Sequence, residues 1–263
     1  MAGMALVAQG VDFSYYNGLV LEDVSVALER GELVGLLGPN GSGKTTLLNV
    51  LSGLLSPKRG KVLLEGQNLR QLGRREIARR VAVVPQDLEM PFGFDAYEMV
   101  QLGRTPHVRL LTGITQRDRD VVEQKMRLTD TWELAQRPFG ELSGGERQRV
   151  IVAMALAQEP EILLLDEPVV HLGISHQIEI LELIKRLNRE RGLTVMATMH
   201  DLNLAALYFD RLVLLNEGCV ALQGNPHQVL EKESIQRVFG AAVQVRRHPT
   251  HGAPQVVLLP PSP

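Results

Sequence analysis

The sequence predicts an α/β fold: a core built on a mainly parallel sheet, an N-terminal antiparallel β subdomain and an inserted helical subdomain. Three observations carry this. Short apolar runs, Leu33 to Leu37, Val81 to Val84, Ile162 to Leu165 and Thr194 to Thr198, alternate with helical stretches. Buried-type strands separated by helices are the pattern of a parallel sheet with helices on its faces. Ahead of them, residues 4–30 alternate apolar and polar positions, as in LVAQGVDF and VSVALE, about Asn17-Gly18, the period of antiparallel strands around a turn. Between Pro91 and Pro160 the strand signal disappears and helix-like segments replace it.

In chain order, the first core strand leads into a helix over Thr45 to Leu54. The inserted segment holds helices over Asp95 to Leu102, Gln116 to Leu128 and Glu146 to Gln158. The core then resumes, with a helix over Gln177 to Asn188 and a hairpin in RLVLLNEGCVALQG, Arg211 to Gly224, around Glu217-Gly218. The tail from Val243, with Pro249, Pro254, Pro260, Pro261 and Pro263, reads as an extended surface appendage. The expected organisation is a core of residues 1–90 and 159–242, a helical subdomain of 91–158 and a C-terminal extension of 243–263. No internal repeat or low-complexity segment appears.

Composition narrows the function classes. With 263 residues and 44% hydrophobic content the chain can bury a sizeable core. Its longest apolar runs are strand-length, far below the ~18 residues of a membrane span. The N-terminus MAGMALVAQGVDFSYY lacks the basic and apolar regions of a signal peptide. Cys219 is the only cysteine, which excludes an intramolecular disulfide. A cytoplasmic location is the expectation. The 28 Lys plus Arg against 30 Asp plus Glu leave a net charge of −2, so no general attraction to nucleic acid is expected. One basic cluster, Arg70, Arg74, Arg75, Arg79 and Arg80, partly shares a helix face and reads as solvated surface.

The chemistry begins at GPNGSGKT, which fits G-x-x-x-x-G-K-[ST] between an expected strand and an expected helix. In Gly38, Pro39, Asn40, Gly41, Ser42 and Gly43 the glycines let backbone N–H groups turn onto phosphate oxygens, and the helix opened by Lys44, Thr45 and Thr46 adds positive potential. Lys44 supplies a point charge for the β- and γ-phosphates, and Thr45 a hydroxyl for Mg²⁺. ILLLDEP ends an apolar strand with two carboxylates at the edge where open α/β sheets bind ligands. Asp166 would hold Mg²⁺, directly or through water; Glu167 would accept a hydrogen bond from the attacking water and align it. Without the phosphate loop, such a pair would read as a turn and cap. Gln86 follows VAVVP and His200 follows TVMATM at strand ends of the same kind; taken alone, neither marks a site.

A second loop, in LSGGERQRV, Leu142 to Val150, raises a question of its own. Ser143 with Glu146 forms the pattern of a capping box ahead of a helix, and that plain structural role stays open. A cap, however, does not need two consecutive glycines, Gly144 and Gly145, unless backbone must approach something closely. A helix N-terminus with bare donors is an anion site, and the chain's own nucleotide is already held by the first loop, so the anion must come from elsewhere.

GPNGSGKT, VVPQ, LSGGERQR, LLLDEP and TMHD, in that order, resemble the ATP-binding subunit of an ABC transporter over essentially the whole chain, with a core of the phosphate-loop NTPase type. The resemblance implies ATP and Mg²⁺ as ligands and a head-to-tail dimer. The Ser143-Gly144-Gly145 loop of one copy would close over ATP held by the other, with Ser143 and Gly145 at the γ-phosphate. By the same resemblance Gln86 touches Mg²⁺ and the attacking water and senses the membrane subunit, and His200 contacts the γ-phosphate. Tyr15 stacks on adenine, with Tyr16 as the fallback. One segment departs: where the family commonly carries a Leu-Asp facing the partner, this chain has Val169-Val170-His171-Leu172-Gly173, with glycine at the aspartate position.

GRTPH (Gly103 to His107), HLGISHQ and HPTHGAP resemble the ATPases of metal-chelate importers for siderophores, haem and cobalamin. That implies a separate permease, an indirectly linked substrate-binding protein, and a peripheral place on the cytoplasmic face of the inner membrane. His171 with His176, or His248 with His251, lack a Cys or third ligand for a metal site. The alternative from another class is a soluble ABC-type ATPase acting in assembly or remodelling without a permease. A GTPase switch is disfavoured by the lack of an N-K-x-D motif.

Overall fold

The computed structural model describes residues 3–16, 18–86, 88, 93–109 and 113–260. Asn17 of the expected first turn, Pro91 at the start of the expected helical segment, and Pro261 and Pro263 of the tail lie outside the described residues. The chain divides into two compact units, residues 1–71 with 194–263, and residues 72–193.

The first unit begins with β1 (Met4–Tyr15), β2 (Gly18–Glu29), β3 (Leu33–Leu37), α1 (Lys44–Leu51), β4 (Arg59–Leu64) and β5 (Gln67–Asn68). The second holds α2 (Arg74–Arg80), β6 (Val81–Val84), α3 (Ala96–Leu102), α4 (Gln116–Leu128), α5 (Gly144–Ala157), β7 (Ile162–Leu165) and α6 (Ile174–Arg191). The first then resumes with β8 (Thr194–Thr198), α7 (Leu202–Tyr208), β9 (Arg211–Asn216), β10 (Cys219–Gly224), α8 (Pro226–Val229), α9 (Lys232–Phe239), β11 (Val243–Arg247) and β12 (Pro254–Leu258).

In the first unit β1 and β2 pair antiparallel, and their alternation buries Leu6, Ala8, Val11 and Phe13 against Leu21, Val24, Val26 and Leu28. β4 adds to the other edge of β1, with Leu6 opposite Leu64, a strand that the local pattern did not announce. Its Gly60 has φ +75°, and a Cβ there would sit 2.2 Å from the Gly10 carbonyl oxygen, so only glycine allows this approach. Separately, β3 runs parallel between β8 and β9, with Leu33 opposite Val195 and Val34 opposite Arg211, and β10 closes antiparallel on β9 around the expected Glu217-Gly218 turn. Every residue of β3 is buried, as a strand covered on both faces requires. α1 stops at Leu51, before the expected Leu54, because the chain turns left-handed at Gly53, φ +75°.

The expected C-terminal appendage is instead a β-hairpin. β11 pairs with β12, Val245 opposite Val256, Val243 is fully buried, and the Asn203 side chain of α7 hydrogen-bonds Val256. Pro254 opens β12 rather than breaking it, since the first residue of a strand tolerates a missing N–H.

In the second unit β6 and β7 are parallel, Val81 opposite Ile162 through Val84 opposite Leu165. Between 93 and 158 the described residues contain helices and isolated bridges but no strand. Asp95, Thr115 and Ser143 each cap a helix in a reciprocal box with the acidic residue three places on. The GRTPH segment fastens this layer. A Cβ on Gly103 would meet the Met154 carbonyl oxygen at 2.0 Å, so α3 ends in close backbone contact with α5. Arg104, only 2% exposed, donates to Asp118 at 2.9 Å, the Ala157 carbonyl at 2.6 Å and Glu159 at 2.8 Å. His107 bonds the Gln158 carbonyl at 2.8 Å.

Of the arginine cluster, Arg70, Arg74, Arg75 and Arg79 are exposed, as expected of solvated surface, and several of its members also make bonds. Arg75 and Arg79 each donate Nε to the Pro106 carbonyl, at 2.7 and 2.9 Å, and Arg80 pairs with Glu161 at 3.4 Å. In the first unit, Arg70 bonds the Pro57 carbonyl. Among the described residues no helix is long and apolar enough to cross a membrane.

Candidate functional site

The loop after β3 has the construction its sequence implies. Gly38 adopts φ +154°, where a Cβ would lie 2.2 Å from the Leu215 carbonyl oxygen, and Gly43 adopts φ +100°, with a Cβ 2.9 Å from Leu21 Cδ2. Gly43 is also the N-cap of α1, so no side chain caps that helix, and the helix N-terminus keeps its affinity for an anion. Lys44 is buried and its Nζ donates to the Gly38 and Pro39 carbonyls at 3.0 and 3.1 Å. The Ser42 hydroxyl is buried with no hydrogen-bond partner, which costs about 1–3 kcal/mol unless a ligand satisfies it. The backbone of Ser42 is tied down, its N–H to Pro39 and its carbonyl to the Gly218 N–H. Asn40, Gly41 and Thr45 face solvent, and Thr46 is buried.

Two further candidates share this unit. Tyr15 is 46% exposed at the end of β1, its ring edge-on to Phe13 at 4.9 Å. It pairs with Gly18 on β2, and β2 continues to Val20 and Leu21, the residues against Gly43. Tyr16 is 98% exposed. His200 is exposed just past β8, where the Met199 N–H donates to the Leu36 carbonyl of β3 at 3.0 Å. His200 and the phosphate loop therefore leave neighbouring parallel strands at the same carboxyl edge.

The second unit gathers the acidic pair and Gln86. Asp166 is 5% exposed, and its N–H donates to the Val84 carbonyl at 2.9 Å. Gln86 lies exposed on a bend just past Val84, so both leave the same edge of the β6/β7 pair. Glu167 has φ +51°. A non-glycine residue there costs on the order of 1–3 kcal/mol, and such strain clusters at active sites. Within the second unit Asp166 and Gln86 carry carboxylate and amide oxygens, the kind of ligand Mg²⁺ takes.

The second loop realises its capping role. The Ser143 hydroxyl accepts from the Glu146 N–H at 3.4 Å and donates to Glu146 Oε2 at 2.8 Å, while the Ser143 N–H donates to the same oxygen at 2.8 Å. The bond from that N–H, followed by the hydroxyl's, holds the Glu146 carboxyl below its usual pKa. The glycines have a packing reason that local sequence reading missed: a Cβ on Gly145 would lie 2.7 Å from His176 Cγ, and one on Gly144 3.3 Å from Leu172 Cδ2. Glu179 takes hydrogen bonds from both sides of this junction, from Arg149 of α5 at 3.0 Å and His176 at 3.1 Å. Ser143 and Gly144 remain exposed.

Residues 21–170, more than half of the chain, match the family model described as ABC transporter. This chain is an ABC transporter ATPase domain. The ferric enterobactin transport ATP-binding protein FepC of Escherichia coli is 40% identical over 254 residues, 97% of this ABC domain and 94% of FepC. YvrA of Bacillus subtilis, an uncharacterized ABC transporter ATP-binding protein, is 41% identical over 254 residues, and the cobalamin import ATP-binding protein BtuD of Halobacterium salinarum 41% over 257. The ABC domain spans only 58% of YvrA and 64% of BtuD. Among solved structures, a chain of an inward-facing ABC transporter assigned to the metal-chelate type superposes with TM-score 0.86 at 27% identity, covering 98% of both chains. The cassette MJ0796, in a dimeric post-hydrolysis state bound to ADP and Pi, has TM-score 0.75 at 28% identity over 84% of this domain and 98% of that chain.

Proposed function

We propose that this chain is the ATP-hydrolysing subunit of an ABC importer, that two copies close head to tail over two ATP molecules, and that hydrolysis powers a separate permease for a metal chelate: an iron-siderophore, haem or cobalamin. The observation that carries this is one chain with two glycine-bearing helix starts, the uncapped α1 with its orphaned Ser42 hydroxyl and the exposed Ser143-Gly144 start of α5, which its own Ser143–Glu146 box closes in the single chain. One ATP needs only the first. The likeness to FepC over nearly both lengths supports the importer assignment.

In this reading residues 1–90 and 159–242 form the ATP core, 91–158 the signature subdomain and 243–263 an extension. Lys44 exchanges the Gly38 and Pro39 carbonyls for β- and γ-phosphate oxygens, and Tyr15 offers the adenine a face that Phe13 braces edge-on. Thr45, Asp166 and Gln86 would hold Mg²⁺, which neutralises phosphate charge when bound. Glu167 accepts a hydrogen bond from the attacking water, and His200 contacts the γ-phosphate. Ser143 can rotate its hydroxyl from Glu146 to the partner's ATP at small cost, because Glu146 keeps the Ser143 N–H. Indirect partners are a substrate-binding protein and, through the permease, the cytoplasmic face of the membrane.

Two experiments test this. Mixed dimers pairing a Ser143→Arg chain with a Lys44→Ala chain should retain one competent ATP site, counted as photocrosslinked ATP per dimer. Doubly mutant chains mixed with wild type should retain none. More sites in the second mixture than in the first would return Ser143 to a cap alone. Sedimentation of the chain with membranes only when its permease is co-expressed is expected; permease-independent behaviour would favour a soluble remodelling ATPase.

A further inference from the structure

We infer that Asn203 is a positioning residue for His200, and that it works by anchoring α7 to the C-terminal hairpin. The inference rests on the proposed role of His200 at the γ-phosphate. His200 lies on a bend after β8, outside any regular element, so what holds the chain on either side helps to set its place. Before it, the Met199 N–H to Leu36 carbonyl bond of 3.0 Å ties the backbone to β3, the strand that feeds the phosphate loop. After it, Asp201 caps α7, its Oδ1 accepting from the N–H groups of Asn203 at 2.7 Å and Leu204 at 2.9 Å. The orientation of α7 therefore decides the exit of the chain from His200.

α7 spans only Leu202–Tyr208, and a helix this short is not held by its own hydrogen bonds. Asn203 supplies an external hold. Its Oδ1 accepts from the Val256 N–H at 2.7 Å, and its Nδ2 donates to the Val256 carbonyl at 3.2 Å. The primary amide thus satisfies both backbone groups of one β12 residue, as a neighbouring strand would. A primary amide carries an N–H donor and a carbonyl acceptor side by side on one planar group. The anchor is itself fixed: β11 pairs with β12 along its length, Val243 is fully buried, and the Leu259 N–H to Ala242 carbonyl bond of 2.9 Å closes the hairpin's base. This gives the tail a task that its composition did not announce.

Two variants remove the bond from opposite sides, Asn203→Ala on α7 and Val256→Pro on β12, the second deleting the N–H that Asn203 receives. Each is expected to lower kcat for ATP hydrolysis about tenfold, since small misplacements of reacting groups cost this much or more, and to leave KM for ATP within about twofold. In chains labelled with ¹³C at histidine, the His200 ring signal, assigned by its loss in His200→Ala, is expected to move in both variants while those of His107, His171 and His176 stay in place. Those unmoved signals report that residues 72–193 stay folded, and the near-unchanged KM for ATP reports the same for the unit that holds the phosphate loop. Unchanged kcat in both variants, or an unmoved His200 signal, overturns the inference alone, provided His200→Ala lowers turnover. If His200→Ala turns over at the wild-type rate, the proposed role of His200 falls and the inference falls with it.

Discussion

Replacing Arg104 by methionine removes the charge from the buried junction of α3, α4 and α5 while keeping much of the side-chain volume. Arg104 is 2% exposed and its partner Asp118 is 5% exposed. Burial pushes the Asp118 carboxyl up, but hydrogen bonds from Thr115 and Arg104, with the guanidinium charge, outweigh it and bring the pKa from 3.8 to about 2. At ~1.4 kcal/mol per unit, ionised Asp118 contributes about 2 kcal/mol to folding. Because the folded pKa is depressed, that contribution is complete above the unfolded value near 3.8 and is lost as pH falls through about 2. In Arg104→Met the burial remains and the guanidinium does not, so Asp118 is left buried with one fewer partner, and the Ala157 carbonyl and Glu159 each lose a donor. Breaking a buried pair in this way costs about 3–5 kcal/mol. Urea denaturation at neutral pH should show that loss. Repeated between pH 5 and pH 2, it should show the gap between wild type and variant narrowing, because wild type has more to lose on protonation. A penalty under about 1 kcal/mol at neutral pH, or a gap that stays constant across the series, would refute the account of Arg104 as the charged clamp of this layer.

Three further substitutions follow from the proposed ATP site and the signature junction. Glu167→Gln should keep nucleotide affinity and lower phosphate release at least ~100-fold, because its amide bonds water without the carboxylate's charge; wild-type release would remove Glu167 from the mechanism. Lys44→Ala should weaken ATP binding at least ~10-fold in an equilibrium titration, losing a charge-assisted bond to phosphate, and normal affinity would count against the phosphate-loop reading. Gly145→Ala, whose Cβ would fall 2.7 Å from His176 Cγ, should cost about 1–3 kcal/mol in denaturation. His176→Ala in the same chain should recover most of it, and a Gly145→Ala variant as stable as wild type would show that the junction yields freely.

The sequence by itself determined the core strands, the phosphate loop and one helix, features that contiguous residues spell out in full. The runs at Leu33–Leu37, Val81–Val84, Ile162–Leu165 and Thr194–Thr198 are β3, β6, β7 and β8 to the residue, and Gln116–Leu128 is α4. A strand buried on both faces must be apolar throughout, and a phosphate loop must carry its glycines and lysine at fixed spacing, so both can be read in a short window. The order of the motifs likewise carries the family in the sequence alone. Tertiary structure alone decided what depends on residues far apart in the chain. β4 pairs with the open edge of β1, and the hairpin of the tail meets Asn203 through Val256. Gly145 is glycine on account of His176, and Arg104 is buried because Asp118, Ala157 and Glu159 converge on it. A hydrogen-bond partner or a close approach fourteen or more residues away leaves no period in the local sequence, since only packing brings the two segments together.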